Sequence, residues 1–184
     1  ILTQNTAWAN VEKAIASLKQ QGLCDSSALA AIAAEQLAPI IRSCGYFNQK
    51  ADRLVGFSRW YLEQGGFAQL ANLDSQDLRG LLLARHGIGE ETADDMLLYA
   101  FDRPSFVIDA YTRRLFSRLG LLEEKLSYPR MQLEFHQALD NDVELFKQYH
   151  ALIVSHAKQH CLKNPRCSGC PLLADCHYAD ADAE

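Results

Sequence analysis

At 184 residues the chain suits one large domain or two small lobes, and it is long enough to bury a real core. Hydrophobic residues make up 48% and charged residues 22%, an ordinary globular profile in which no apolar run reaches the roughly 18 residues that cross a bilayer. The formal net charge is −5, so any contact with a polyanion has to rest on local positive charge, not on the average. No secretory signal is visible and four of the six cysteines are clustered, which predicts metal-ligating thiols in a reducing cytoplasm rather than disulfides. The first residue is Ile1, and Leu2, Thr3 and Gln4 read as the interior of an element, so further residues are expected upstream.

Taken in chain order, the pattern is helical. Val11, Ala14, Ile15 and Leu18 fall at i, i+3, i+4 and i+7. Asp25, Ser26 and Ser27 precede an Ala-rich run and signal a helix start. Leu54, Phe57 and Tyr61 continue the periodicity until Gly65-Gly66 ends it. Asp74 or Ser75 can cap a helix running through Leu83, and Ala93, Met96, Leu97 and Ala100 mark the next. Phe146, Tyr149, Ile153 and Ala157 mark a late one. Only Phe106-Val107-Ile108 looks strand-like, which is too short for a sheet, and the predicted fold class is all-α. No internal repeat is visible, and the acidic tail Asp180–Glu184 is expected to fray.

Three features carry chemistry. Two helical patterns meet across Gly87-Ile88-Gly89, where glycines permit positive φ and close approach of another backbone. The second helix starts at about Glu90 or Glu91, and its free N–H groups suit an anion such as a phosphate; a plain helix–helix turn gives the same pattern. Asp109 follows the buried-looking Phe106, Val107 and Ile108 and precedes a helix beginning near Ala110, the place of a simple N-cap. Cys161, Cys167, Cys170 and Cys176 offer four thiolates to a [4Fe–4S] cluster. Zinc takes four thiolates as well, usually as two close pairs, and only Cys167 and Cys170 make such a pair.

In combination these features resemble the helix-hairpin-helix (HhH-GPD) DNA glycosylases of the endonuclease III superfamily. The residues that carry the resemblance are Leu81–Ala93 with its Gly-Ile-Gly hairpin and Asp102–Arg114, a Pro-containing loop followed by an aspartate. Ile40–Ala51, Leu2–Thr6 and the cysteine run add to it, so it extends from Ile1 to Cys176. The first cysteine gap here holds five residues where the family loop usually has six.

The resemblance implies two helical lobes. One spans roughly residues 1–103 and ends with the hairpin; the other spans roughly 104–184, holds a C-terminal [4Fe–4S] cluster loop and is completed by residues upstream. It implies a cleft between them that contains Asp109 as the catalytic carboxylate, stabilising positive charge on the sugar or orienting water. Gly87 and Gly89 would bind a DNA phosphate, and Gln4 would fill the gap left by a flipped base. Trp8, Tyr46 and Phe47 would border the base pocket. Lys163 and Arg166, helped by Lys158, Arg113, Arg114 and Arg118, would form a positive DNA-facing surface, although Arg118 also fits a solvated position. Asp94, Asp95 and Asp102 read as solvated.

Bifunctional members of the family attack the sugar with a lysine two residues past the second glycine, and here that position is Glu91. The expectation is therefore a monofunctional glycosylase, acting as a monomer on double-stranded DNA that contains a damaged base. The missing lysine and the early Trp8 resemble the 3-methyladenine DNA glycosylase III-like subgroup, which implies an alkylated purine. The competing readings are a bifunctional glycosylase/lyase, a non-catalytic hairpin module that binds DNA, and an electron-transfer protein.

Overall fold

The structure is a computed structural model that describes residues 1–181, so part of the acidic tail, residues 182–184, lies outside the described residues. Among the described residues there is helix and no strand, as the periodicity predicts. The chain divides into two compact units, Ile1–Gly89 and Glu90–Glu184. The division falls at the hairpin, before the boundary expected near residue 103. The physical reason is Leu98, on the helix after the hairpin, which is fully buried in the core of the second unit.

The first unit contains α1 (Trp8–Gln20), α2 (Ser26–Ala31), α3 (Ala34–Ile40), a 3-10 turn (Arg42–Cys44), α4 (Phe47–Glu63), α5 (Gly66–Leu70) and α6 (Ser75–Leu83). Its core is Ala14 and Leu18 of α1 packed with Leu37, Ile41, Ala51 and Val55. The caps anticipated from sequence are formed. Asp25 accepts hydrogen bonds from the N–H groups of Ser27 and Ala28, and Asp74 accepts one from Asp77 N–H at 2.8 Å. Leu2–Asn5 is a turn and α1 begins only at Trp8, so Leu2, Thr3 and Gln4 are not the interior of a helix.

A charged group inside this unit organises that turn. Lys50 is 2% exposed, and its ammonium donates to Leu2 O at 3.0 Å, Thr6 Oγ1 at 2.6 Å and Cys44 O at 2.9 Å. All three ammonium donors are used, which is what makes a buried lysine tolerable. Burial pulls its pKa down from the usual lysine value.

The second unit contains α7 (Glu90–Ala100), α8 (Ala110–Arg118), α9 (Tyr128–Ala138), α10 (Val143–Gln159), a 3-10 turn (Leu173–Asp175) and α11 (His177–Ala181). Its centre is Phe106, fully buried, stacked on Phe135 at 4.0 Å between ring centroids and edge-on to Phe146 at 5.2 Å. Phe106, Val107 and Ile108 are extended and buried, as their strand-like character suggests, but no strand lies beside them. Side chains of α9 take that place. His136 Nε2 accepts the Phe106 N–H at 3.1 Å, Gln132 Nε2 donates to Phe106 O at 2.8 Å, and Tyr128 OH accepts the Ile108 N–H at 3.3 Å. Residues 128, 132 and 136 lie four apart, so they form one stripe along α9.

Replacing Gln132 by Leu removes the donor to a buried carbonyl while keeping most of the side-chain volume. The expected cost is about 1–3 kcal/mol, read as a lower denaturation midpoint in urea. An unchanged midpoint would show that this rung of the ladder carries no stability.

Candidate functional site

Asp109 is the N-cap of α8, as its sequence position suggests, and it is also part of a wider cluster. Its Oδ1 accepts the Thr112 N–H at 2.7 Å. Its Oδ2 lies 3.5 Å from Nε2 of His150 on α10, a nitrogen that forms no hydrogen bond. The other ring nitrogen of His150, Nδ1, is 2.7 Å from Tyr99 OH on α7. Burial alone pushes the Asp109 carboxyl up; His150 and the Thr112 N–H outweigh it and hold the group below the usual carboxylate range. Asp109 is therefore a fixed, ionised carboxylate.

Helix α7 adds two more acids to the same region. Glu91, Asp95 and Tyr99 lie four residues apart on one stripe. Burial, followed by repulsion from Asp109 and Asp95, raises the Glu91 pKa. Burial raises Asp95 to about 6, with His150 opposing the shift and Asp109 adding to it.

The expectation that Asp94, Asp95 and Asp102 are all solvated holds only for Asp102. Asp102 is exposed and pairs with Lys147 at 2.5 Å. Asp94 is fully buried and accepts a 2.7 Å hydrogen bond from Ser105 Oγ. It thus ties α7 to the segment that leads into Asp109. His150 and Tyr99 are not singled out from sequence, because neither belongs to a short motif, and Asp95 reads there as solvated.

At the end of the first unit, Gly87 has φ +83°, and a Cβ there would collide with the Arg53 side chain. The left-handed backbone favours glycine at this position, and any side chain would also force Arg53 to move. Gly89 does not have positive φ, and a Cβ on it would meet nothing within 4 Å, so the space beside it is open. Ile88 between them is 6% exposed and anchors the loop. Gln4 is tied to this loop. Its Nε2 donates to Gly87 O at 2.9 Å and its Oε1 accepts from Arg53 Nη1 at 3.3 Å.

Among the aromatic residues, Trp8 is 56% and Tyr46 69% exposed, and Tyr46 takes a left-handed backbone with φ 45°. Phe47 packs on the core of the first unit with Arg42 over its ring.

Cys161, Cys167, Cys170 and Cys176 all line one small cavity, walled by apolar side chains such as Leu115 and Leu119. Arg118 Nη1 donates to Cys161 Sγ at 3.4 Å. Its guanidinium also holds Leu162 O at 2.6 Å and Lys163 O at 2.9 Å, and it stacks over Tyr178. Arg118 is therefore a clamp on the cysteine loop and not a solvated residue. Arg114 donates to Cys161 O, and Arg113 to Glu124 O and Leu126 O, so neither guanidinium is free for a surface role alone. Lys163 and Arg166 are exposed. Among the described residues no group of three or more His, Cys, Asp or Glu is arranged to hold a metal ion. The donor chemistry, four thiols around one apolar void with a guanidinium against one of them, nevertheless fits an iron–sulfur cluster.

Comparison with known proteins follows the same lines. The family described as "HhH-GPD superfamily base excision DNA repair protein" matches residues 1–140. A Methanocaldococcus jannaschii protein, provisionally named a DNA repair glycosylase, is 44% identical over 96% of this chain and 81% of its own length. Endonuclease III of Thermotoga maritima is 28% identical over 97% of this chain and 79% of its own. Among solved structures, the Helicobacter pylori 3-methyladenine DNA glycosylase bound to 1,N6-ethenoadenine superposes with a TM-score of 0.75 at 29% identity, covering 86% of this chain and 81% of that one. An endonuclease III–DNA complex superposes with a TM-score of 0.85 at 22% identity, over 99% and 81%, a likeness of fold.

The raised pKa of Asp95 makes a stability prediction. A carboxyl at 3.8 in the unfolded chain and about 6 when folded binds its proton more tightly in the folded state. Its favourable contribution is complete below about pH 4 and is lost as pH rises through 6. Asp95→Asn should therefore stabilise the protein at pH 7–8 by something of the order of 2 kcal/mol, and the gain should vanish near pH 4. Urea midpoints across that range check it; a gain that did not depend on pH would point to a packing effect.

Proposed function

We propose, from the premise that this chain belongs to the HhH-GPD superfamily of base excision DNA repair proteins and is a DNA glycosylase, that it is a monofunctional enzyme releasing an alkylated purine. The observation that carries this reading is the pair Asp109 and Glu91. The carboxylate that would face the sugar is fixed and charged, and the position that would carry an attacking amine carries an acid instead.

In the reaction, the bond from C1′ to the base nitrogen breaks and its electron pair leaves with the base. Positive charge develops on the sugar, where Asp109 stabilises it. A water oxygen then bonds to C1′ and loses its proton, leaving an abasic site on an uncut strand. Glu91 has no nucleophilic amine and cannot form a Schiff base. A base that is already cationic leaves as a neutral molecule, and the acids Glu91 and Asp95 beside Asp109 favour such a lesion electrostatically. The likeness to the 3-methyladenine glycosylase supports the same substrate class.

In this reading the open side of Gly89 admits a DNA phosphate, and Lys163 and Arg166 contact the backbone. Exposed Trp8 and Tyr46, together with Phe47, would border the extruded base. Gln4 would have to exchange its contacts with Gly87 and Arg53 before entering the duplex. A [4Fe–4S] cluster on Cys161, Cys167, Cys170 and Cys176 would supply a structural pin for the basic loop and take no part in bond cleavage.

A panel of lesion-containing duplexes, scored for base release with and without alkali, tests the function. Methylated purine should be released, strand cleavage should need alkali, and borohydride should not trap the protein on DNA. Efficient trapping would return the chain to the bifunctional lyases. Asp109→Asn should abolish release while DNA binding persists; wild-type turnover in that variant would leave Asp109 as a cap alone.

For the cluster, Cys170→Ala should lose iron and the brown colour and weaken DNA binding or folding. A colourless wild-type protein with stoichiometric zinc would overturn the assignment.

A further inference from the structure

Asp109 has two carboxylate oxygens, and the fold treats them differently. Oδ1 is committed to the Thr112 N–H as the cap of α8. Oδ2 lies 3.5 Å from Nε2 of His150, and that nitrogen is buried with no hydrogen-bond partner among the described residues. At such a distance the ring steers the oxygen without capturing it, so Oδ2 remains free to face a reacting centre. On the reading of Asp109 as the catalytic carboxylate, we propose that His150, oriented by Tyr99, is a positioning residue that aims Oδ2 of Asp109.

Tyr99 fixes the orientation of the His150 ring. Its hydroxyl is 2.7 Å from Nδ1 of His150, and burial with the nearby acids Asp95 and Asp109 disfavours ionising the phenol. The phenol can donate to Nδ1 or accept from it, and the Asp109 carboxylate beside Nε2 favours an N–H on that nitrogen in either case. The two rings also pack against each other, with centroids 5.9 Å apart. His150 is thus held by one contact and acts through the other.

The charged groups around this pair come from three elements. Helix α7 contributes Glu91, Asp95 and Tyr99; α10 contributes Lys147 and His150; the loop between α7 and α8 contributes Asp102 and Asp109. Lys147 is engaged by Asp102 at 2.5 Å and Glu144 at 3.3 Å, so its charge is already matched. The imidazole therefore opposes the repulsion that Glu91 and Asp95 exert on Asp109. Without it, the acids would push Asp109 towards its protonated form and leave its rotamer held by the cap alone.

The test is single-turnover base release from methylated duplex DNA as a function of pH, run beside DNA-binding measurements. His150→Phe keeps the ring and removes both nitrogens. It should slow release by about tenfold to a hundredfold with DNA affinity unchanged. The acidic limb of its rate profile should also move to higher pH, because Asp109 then loses its proton less readily. Tyr99→Phe should move the same limb in the same direction by less, and it serves as the second variant if His150→Phe fails to fold. His150→Gln, whose amide N–H can reach Oδ2, should recover much of the rate. A rate loss of equal size at every pH, with the limb unmoved in both variants, would reduce the pair to packing and overturn the proposal. Wild-type behaviour of His150→Phe would do the same. Asp109→Asn in the same assay keeps the two readings apart. If that variant still releases base, the catalytic reading of Asp109 has failed; if it is inert while the His150 and Tyr99 variants match wild type, only the positioning role has.

Discussion

The second unit depends on a problem that an all-helical fold rarely faces: an extended segment, buried on all sides, with no sheet to receive its backbone hydrogen bonds. Ser105–Ile108 is that segment. Each unmet N–H or C=O there would cost free energy comparable to a lost hydrogen bond. The fold meets the Phe106 N–H and C=O and the Ile108 N–H with one stripe of α9, in which Tyr128, Gln132 and His136 act as the neighbouring strand would. His136 accepts through Nε2, so its proton sits on Nδ1, where Asn141 Oδ1 lies at 2.7 Å. Ser105 closes the segment at its start by bonding buried Asp94 and accepting from Gln132. The aspartate that ends the segment thus leaves a rigid track, and its direction is set before any capping bond forms.

Helix α8 carries that order further. At its N-terminus Asp109 caps the helix; towards its C-terminus Arg114 and Arg118 hold the carbonyls of residues 161, 162 and 163. Nine residues at about 1.5 Å each make a strut of roughly 13 Å between the acidic cluster and the cysteine loop. The arginines of α8 are turned to internal carbonyls, whereas Lys163 and Arg166 on the cysteine loop are exposed.

Much of this was legible in the sequence where the determining forces are local. The periodic runs became α1, α4, α7 and α10, and the capping aspartates Asp25, Asp74 and Asp109 are all seated. Helix α9 is not read from the sequence although Met131 and Phe135 lie four apart on its buried face; the role of its polar stripe, Tyr128, Gln132 and His136 against a backbone, has no sequence pattern at all. Asp94 and Asp95 look like a solvated pair on any helix. What separates them is Ser105, eleven residues on, and His150 on another helix, partners that sequence spacing does not reveal. The four cysteines were visible as a set, whereas the arginine that grips their loop had the look of a surface residue.

Lys50 has a consequence for how far the chain can be trimmed. Its ammonium is stitched to two acceptors in the first six residues, Leu2 O and Thr6 Oγ1, and Thr6 in turn bonds Cys44 O. The opening turn is short and partly exposed, the sort of terminus that is often cut back without harm. Here cutting it back would strand a cation in the core with one carbonyl for company. The first residues are therefore a counterpart to an interior charge, and the lower boundary of an independently folding unit lies at or before Leu2.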